Sequence, residues 1–364
     1  MNILKQRIKE KGYLLADGAT GTNLFAMGLE SGHSPEFWNV EYPERVAQNH
    51  ASFIDAGSDI ILTNTFGANS FRLQLHNVEK EVSKLNYEGA LIAKKVVIDS
   101  KKNTLIAGSI GPTGEIIEPL GTTTWSETTE AFSEQAKALH DGGVDFFWIE
   151  TMSSEDEMRC ALDATKDFGI PTICSYSFDT HGKSMMGLEP KELISLAEKY
   201  YPDIIGYGAN CGTGASELIG SIMCFFKARK NESMIIAAKA NCGIPEFIKG
   251  EIHYNGTTTL MADYACFARD IGATIIGGCC GTTHEHVKAM SEALKKNKPG
   301  SFSKLIEEEK YNLIELKKII ESLGEMTDGN VAMIRRYLKP NGSEENTGDK
   351  RKRTKRRLRH SDSS

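Results

Sequence analysis

Short apolar runs recur along the chain between residues 13 and 277, and eight of them read as strands: Tyr13–Ala16, Ile60–Thr65, Thr104–Ser109, Phe146–Glu150, Thr172–Ser177, Ile204–Ala209, Met234–Ala240 and Thr274–Gly277. Each is rich in Ile, Val, Leu or aromatic residues and lacks a regular polar alternation. That pattern suits strands covered on both faces, as in a parallel sheet. Helical patterns fill the intervals. Pro43 and Pro190 stand at helix starts, where the missing N–H of proline costs nothing. Gly57, Gly143, Gly169 and Gly272 stand where helices stop just before the next strand, and read as left-handed C-caps. Eight strand–helix units with short returns predict an α/β fold, a closed (β/α)8 barrel of the TIM type, in preference to an open doubly wound sheet.

The pattern changes after residue 297, so the barrel is assigned to residues 1–297. Residues 298–338 read as a helical C-terminal extension. An amphipathic helix is expected over Phe302–Leu323, with Leu305, Tyr311, Ile314, Leu316, Ile319 and Ile320 on its apolar positions, and a shorter helix over Asp328–Leu338. Residues 339–364 are polar and charged, and read as a disordered basic tail.

Composition narrows the function classes. The chain has 364 residues, 40% of them hydrophobic, which is enough for a large core. No apolar run is long enough to cross a membrane, and the start MNILKQRIKEKGYLL lacks the apolar stretch of a signal peptide. A soluble cytoplasmic protein with no membrane partner is expected. The formal net charge is −6, but residues 341–364 hold eight Lys/Arg against four Asp/Glu, so the rest of the chain carries −10. An acidic body does not fit a nucleic-acid binder. The run Arg351–Arg359 reads as a solvated end. A homo-oligomer is compatible with all of this.

Chemistry gathers at the strand ends. DGATGTN follows the first strand, NTFGAN ends the second, GPTGEIIEPLG follows the third and ETMSSEDE ends the fourth; NCGTG, NCGIPEF and CCGTTHEH end the sixth, seventh and eighth. In a barrel these loops share the C-terminal face, where active sites sit. GPTGEIIEPLG lacks the Lys-Ser/Thr of a phosphate loop and is read as a substrate-shaping loop.

Eight cysteines in a chain of this size do not suggest a disulfide scaffold. Cys160, Cys174, Cys224 and Cys266 lie within helices or strands and read as buried small hydrophobes. Cys279 and Cys280 are adjacent at a strand end, flanked by Gly277, Gly278 and Gly281, and have no comparable packing rationale. With Cys211 at the end of the sixth strand they form a candidate Zn2+ site, open at one position. Cys242 competes with Cys211, because both follow Asn at a strand end, and spacing leaves the two open. Three thiolates on Zn2+ make a net negative centre, suited to holding a substrate thiolate that must stay nucleophilic. No general base on carbon is then needed, and no catalytic residue beyond the metal site is expected. Asp17 and Glu150 end the first and fourth strands; such carboxylates either hold a substrate ammonium or serve as a turn residue and an internal ion pair. Trp38 and Trp125 fall in loops on the same face, where an indole can cradle an onium group or simply pack.

From about Gly12 to Leu294 the chain resembles the homocysteine S-methyltransferase family. The resemblance rests on DGATGTNL, NTFGAN, GPTGE, IET, GANCG and GGCCGTT, in that order. It implies a zinc-bearing barrel that methylates L-homocysteine to methionine. GANCG then places one zinc ligand at Cys211 and GGCC the others at Cys279 and Cys280, while Cys242 lies where relatives need no cysteine. DGATG and IET imply that Asp17 and Glu150 bind the homocysteine amino group. Within the family, ADGATGTNLFAMGLE, MMGL, NCGIPEF and the basic tail are similar to bacterial betaine–homocysteine methyltransferases, and Trp38 in EFWNVEYPE matches an aromatic of the betaine site. Animal betaine enzymes carry a tyrosine after the second strand. Here Asn64–Asn69 reads NTFGAN, which looks more like the homocysteine half of cobalamin-dependent methionine synthase. The expected donor is a small onium compound, glycine betaine first. S-methylmethionine, dimethylsulfoniopropionate or a separate methyl-corrinoid protein serving a stand-alone module are the alternatives. The chain has no room for folate, cobalamin and activation domains. The non-enzymatic alternative is a metal-binding interaction protein.

Overall fold

The apolar runs assemble in the order their two-sided burial requires. The structure, a computed structural model, describes residues 2–179, 181–248, 251–300 and 320–338. The strands are β1 (Leu14–Leu15), β2 (Ile60–Leu62), β3 (Leu105–Ile110), β4 (Phe146–Met152), β5 (Thr172–Tyr176), β6 (Ile204–Cys211), β7 (Ile235–Ala240), β8 (Pro245–Ile248), β9 (Glu251–Tyr254) and β10 (Ile275–Gly278). All but β8 and β9 form one eight-stranded sheet in the order β1-β10-β7-β6-β5-β4-β3-β2. A parallel bridge between Ala16 and Ile60 joins its two ends. The ring is a (β/α)8 barrel. Two carboxylates reinforce this seam: Asp59 accepts from the Leu15 amide at 2.8 Å and Asp17 from the Leu62 amide at 2.7 Å.

The helices are α1 (Ile3–Lys11), α2 (Gly21–Ala26), α3 (Trp38–Glu41), α4 (Pro43–Ala56), α5 (Ser70–Gln74), α6 (Val82–Ser100), α7 (Trp125–Gly142), α8 (Glu155–Thr165), α9 (Pro190–Lys199), α10 (Ala215–Ala228), α11 (Thr258–Asp270), α12 (His284–Lys296) and α13 (Asp328–Leu338). Pro43 and Pro190 open α4 and α9 as expected, and Gly57 and Gly143 close α4 and α7 in the left-handed conformation. Gly169 caps, in the left-handed conformation, the short 3-10 turn that follows α8, and Gly272, also at positive φ, lies one residue beyond the cap of α11. α13 matches the expected short helix. It docks on α10 through Asn330, which donates to the carboxylate and the carbonyl of Glu217. Most of the helix expected over Phe302–Leu323, and the tail 339–364, lie outside the described residues. The antiparallel hairpin β8–β9 was not expected from the sequence.

Two apolar layers share each strand. Leu14, Leu62, Leu105, Phe146, Trp148, Ile173, Ile235 and Ile275 meet inside the barrel, with Leu4 of α1 joining them. Their neighbours, such as Leu15, Ile61, Ile106, Phe147, Cys174 and Ile276, pack outward in the layer shared with the helices. Each large side chain so buried contributes about 1.5–3 kcal/mol. Two residues further along the interior rows, apolar gives way to polar: Ser109 follows Ala107, Glu150 follows Trp148, Ser175 follows Ile173, and Lys239 follows Ala237. The barrel is therefore oily below and polar at its C-terminal mouth. No helix among the described residues is long and apolar enough to cross a membrane.

One buried group in the helical layer makes stability depend on pH. His50 of α4 is fully buried, neither ring nitrogen has a hydrogen-bond partner among the described residues, and burial lowers its pKa from 6.5 to about 4. The folded state thus resists a proton that the unfolded chain accepts. Stability from this residue is intact above pH 6.5 and declines as the pH falls towards 4, by up to about 3 kcal/mol. Urea titrations of wild type and His50→Leu at pH 7 and pH 5 should show the wild type losing more on acidification; equal losses would refute the assignment.

Candidate functional site

The three cysteines expected from the sequence meet at the mouth of the barrel. Cys211 ends β6, while Cys279 and Cys280 follow β10, and their sulfurs all lie within 4.8 Å of one another. The Cys211 and Cys280 sulfurs are 3.8 Å apart. A tetrahedral ion with metal–sulfur bonds of about 2.3 Å separates its sulfurs by roughly 3.8 Å, the separation of the Cys211–Cys280 pair. All three residues are half-buried. Cys280 is pulled well below the ordinary thiol range by hydrogen bonds from Cys211 and Cys279, while Cys211 is pushed up by the same neighbours.

Backbone strain and two asparagines hold this arrangement. Cys211 has φ +62° and Thr151, just after Glu150, has φ +63°. Both are uncommon conformations for residues with a Cβ, and costly for a β-branched one. At Glu150–Thr151 the pairing of β4 with β5 shifts register, a bulge that re-aims side chains. Asn210 secures that bulge. Its Oδ1 accepts from the Thr151 amide at 2.8 Å and the Ser175 hydroxyl at 2.6 Å, and its Nδ2 donates to Thr151 Oγ1 at 2.6 Å and Cys279 Sγ at 3.9 Å. Asn241 works between the other loops, accepting from the Cys280 amide at 3.0 Å and donating to the Gly212 carbonyl at 2.6 Å. The two Ala-Asn-Cys words thus differ in outcome. Cys211 turns into the cluster, whereas Cys242 is buried and donates to the Gly256 carbonyl at 3.3 Å.

Asp17 and Glu150 both lie beside the cluster, together with a residue that the sequence reading missed. Lys239, inside β7, is 3% exposed and places Nζ 2.9 Å from Asp17 Oδ1 and 5.4 Å from the Trp148 ring centre. Burial alone would lower its pKa, but Asp17 and then Glu150 outweigh that and hold it above the usual lysine value. Burial raises Asp17, against the pull of Lys239. Burial likewise lifts Glu150 to about 7, opposed by Lys239 and aided by Cys279. The signal for Lys239 was available: a lone lysine in the apolar run IIAAKA, on the interior row. Tyr254 of the unexpected hairpin was also missed. Its ring lies across Gly281, where any side chain would collide with it, and its hydroxyl donates to Cys280.

Trp38 requires a correction. Expected in an open loop, it begins α3, is 2% exposed among Leu24, Leu29 and Val46, and has the Arg45 guanidinium 4.8 Å over its ring. A ligand cation would reach that ring only by displacing Arg45. Trp125 begins α7 and stays 38% exposed.

Comparison with known proteins agrees with this geometry. A family model described as homocysteine S-methyltransferase matches residues 14–294. The methionine synthases of Mycobacterium tuberculosis and Mycobacterium leprae are 27% and 28% identical over 81% and 83% of this chain. The chain spans about a quarter of the length of these curated relatives. Among solved structures, the metallated form of the homocysteine methyltransferase MmuM from Escherichia coli superposes with a TM-score of 0.68 at 21% identity, covering 80% of this chain and 99% of that one.

Metal analysis should find one ion per chain, absent from Cys280→Ala and retained in Cys242→Ala. Asn210→Ala should weaken metal binding in chelator competition about 10- to 100-fold, as loss of a residue that orients ligands does. Full retention of the ion by Cys280→Ala would dismiss the cluster as a metal site.

Proposed function

We propose that this chain, which belongs to the homocysteine S-methyltransferase family, transfers a methyl group to the thiol of L-homocysteine, using Zn2+ held by Cys211, Cys279 and Cys280. The observation that carries this reading is the three-sulfur cluster beside two buried carboxylates. An all-sulfur donor set favours zinc over magnesium or calcium. When bound, zinc supplies a Lewis acid that keeps a thiol ionised at neutral pH. Protein groups do the rest. The carboxylates of Glu150 and Asp17 offer charge-assisted hydrogen bonds to the amino group of the acceptor. Asn210 and Asn241 fix the loops that carry the sulfurs. Tyr254 donates to Cys280 and covers that edge of the cluster against water.

The chemistry balances without a base on carbon. The acceptor sulfur attacks the methyl carbon in line; the new C–S bond forms as the bond from methyl to the donor heteroatom breaks, and its electron pair leaves with the donor. An onium donor such as glycine betaine departs as a neutral amine, so no proton is needed on the leaving group. Phe66, 37% exposed on the loop after β2, and Trp125, 38% exposed at the start of α7, offer open aromatic surface for an onium group.

A second reading has its own observation. Phe66, Ile116, Leu120, Met185 and Ile244 are exposed on loops following barrel strands, and Trp125 is exposed on the first turn of α7. An apolar rim of that kind suits a methyl-carrying protein docked over the site, such as a methyl-corrinoid protein.

Methionine formation should be assayed with zinc-loaded protein, homocysteine and, under one condition, betaine, S-methylmethionine, dimethylsulfoniopropionate and a methyl-corrinoid protein, compared by kcat/KM. An onium donor should lead. Turnover with the corrinoid protein alone would replace the donor assignment, and no product from any donor would sink the enzymatic reading.

A further inference from the structure

α13 lies beyond residues 14–294, the stretch that matches the family, yet it reaches the mouth of the barrel. In a barrel the helices start at the face where the strands end, so the first turn of α10 lies on the same face as the sulfur cluster. Only Gly212, Thr213 and Gly214 separate Cys211 from α10. Glu217, in that first turn, is buried, and its carboxylate accepts from the Thr327 amide and from the side-chain amide of Asn330. Asn330 Nδ2 also donates to the Glu217 carbonyl at 3.1 Å, and Ser216 Oγ donates to the Glu325 carbonyl at 2.8 Å. One turn further along α10, Gly220 makes room for this contact, since a Cβ there would collide with Asn330 Oδ1. The same helix holds the loop after β5, which borders the Cys211 turn through the Phe178 carbonyl packed against Gly212. In that loop Gly182 packs against Met333, and Glu189 accepts from Arg336 at 3.0 Å.

We propose that Asn330 is a positioning residue for Cys211: by gripping Glu217 it fixes the start of α10, and with it the turn that aims the Cys211 sulfur at Cys279 and Cys280. The turn needs such a brace. Cys211 has φ +62°, a strained conformation that persists only where the surroundings enforce it. Gly212 and Gly214, at φ +74° and +148°, supply the freedom to make the turn but no stiffness to keep it. Asn210 holds the turn on the strand side and Asn241 holds its middle through the Gly212 carbonyl. Its far end is α10, and α13 is what fixes that end. Apolar contacts by Met333 and Ile334 bury area without specifying direction. The amide–carboxylate bonds of Asn330 are directional, and set which turn of α10 the extension grips. Asn330 is itself fully buried, where an amide is costly unless it is bonded, so its partner Glu217 accounts for its presence. The inference rests on the reading that the three sulfurs hold zinc, and adds to that site a residue from outside the barrel.

The test uses the full-length chain and three readouts: zinc affinity by chelator competition, the absorption spectrum with Co2+ in place of zinc, and alkylation of Cys211 by iodoacetamide in metal-free protein, followed by peptide mass spectrometry. Asn330→Ala should weaken zinc binding about 10-fold, as loss of a residue that orients ligands does. It should also alter the Co2+ ligand-field bands and speed alkylation of Cys211 relative to the buried Cys242. Gly220→Ala raises the helix propensity of α10 but pushes Asn330 aside, and should act in the same way. It keeps the test decisive if Asn330→Ala does not fold. Leu139→Ala, in the core under α7, should lower the melting temperature at least as much, with zinc affinity and Co2+ spectrum unchanged. If Asn330→Ala and Gly220→Ala match wild type in all three readouts while melting earlier, α13 is only a cover for α10 and the proposal is overturned. An equal loss of zinc affinity in Leu139→Ala would overturn it too, by tracing the effect to general destabilisation. Should wild type bind no zinc, the metal reading fails by itself, and alkylation still decides the brace. Faster modification of Cys211 in Asn330→Ala than in wild type and Leu139→Ala would support it, and equal rates would overturn it.

Discussion

Three cysteine sulfurs within 4.8 Å of one another cannot all ionise unless a cation sits among them. That constraint organises the mouth of the barrel. The cluster drives one sulfur down and another up, a conflict that a bound divalent ion would relieve by taking the place of protons. Everything near the cluster can be read as a means of holding three like groups together at a place where they would otherwise repel. Asn210 and Asn241 each span two loops, so neither Cys211 nor the Cys279–Cys280 pair can withdraw without breaking a side-chain bridge. The left-handed φ of Cys211 and Thr151 is strain kept in place by those same bridges.

The barrel supplies the rigidity that this strain requires. Closure depends on a single bridge from Ala16 to Ile60, supplemented by the carboxylates of Asp59 and Asp17. Asp17 therefore joins the seam to the site. One oxygen completes the hydrogen bonding of β2, and the other meets Lys239 of β7. A change at Asp17 would be felt both in barrel closure and in the charge of the mouth, so loss of function there is ambiguous unless its partner is changed as well.

Much of this was legible in the sequence because it follows from periodicity and from residue type. Continuous apolar runs such as Phe146–Ile149 announced strands buried on both faces, and adjacent cysteines after a strand announced a site, since packing offers no use for the pair. Boundaries drifted by one to three residues where polar residues continue a strand into the mouth, as at β6, which runs on to Cys211, and at β2, which stops at Leu62. The hairpin β8–β9 escaped because Pro245–Tyr254 lacks strong alternation and its apolar residues are few. Trp38 misled because a tryptophan in a polar stretch reads as exposed. Its burial is created by Leu24, Leu29 and Val46, which only the folded chain brings together, and its cation is the protein's own Arg45. Lys239 was hidden by the habit of treating lysine as surface, although its place on the interior row excluded that.

A buried ion pair is weak evidence for stability, since two desolvated charges often return no more than well-packed apolar residues of the same volume would. The Asp17–Lys239 pair lies above Trp148 in a layer where Leu or Phe would continue the oily column beneath it. Substituting apolar residues there would be cheap for the fold. It would be expensive for the proposed chemistry, because three thiolates around a divalent ion would carry net negative charge and would face Glu150 across a medium of low dielectric, with no fixed positive charge between them. A lysine at that level moderates the field, and its own pKa is held up by the groups it serves. The same charge placed any higher would lie in solvent and be screened; placed lower, it would enter the apolar column and lose its partner. The position of Lys239, two residues beyond Ala237 and at the last interior level before the loops, is where one buried cation can act on Asp17, Glu150 and Cys279 together.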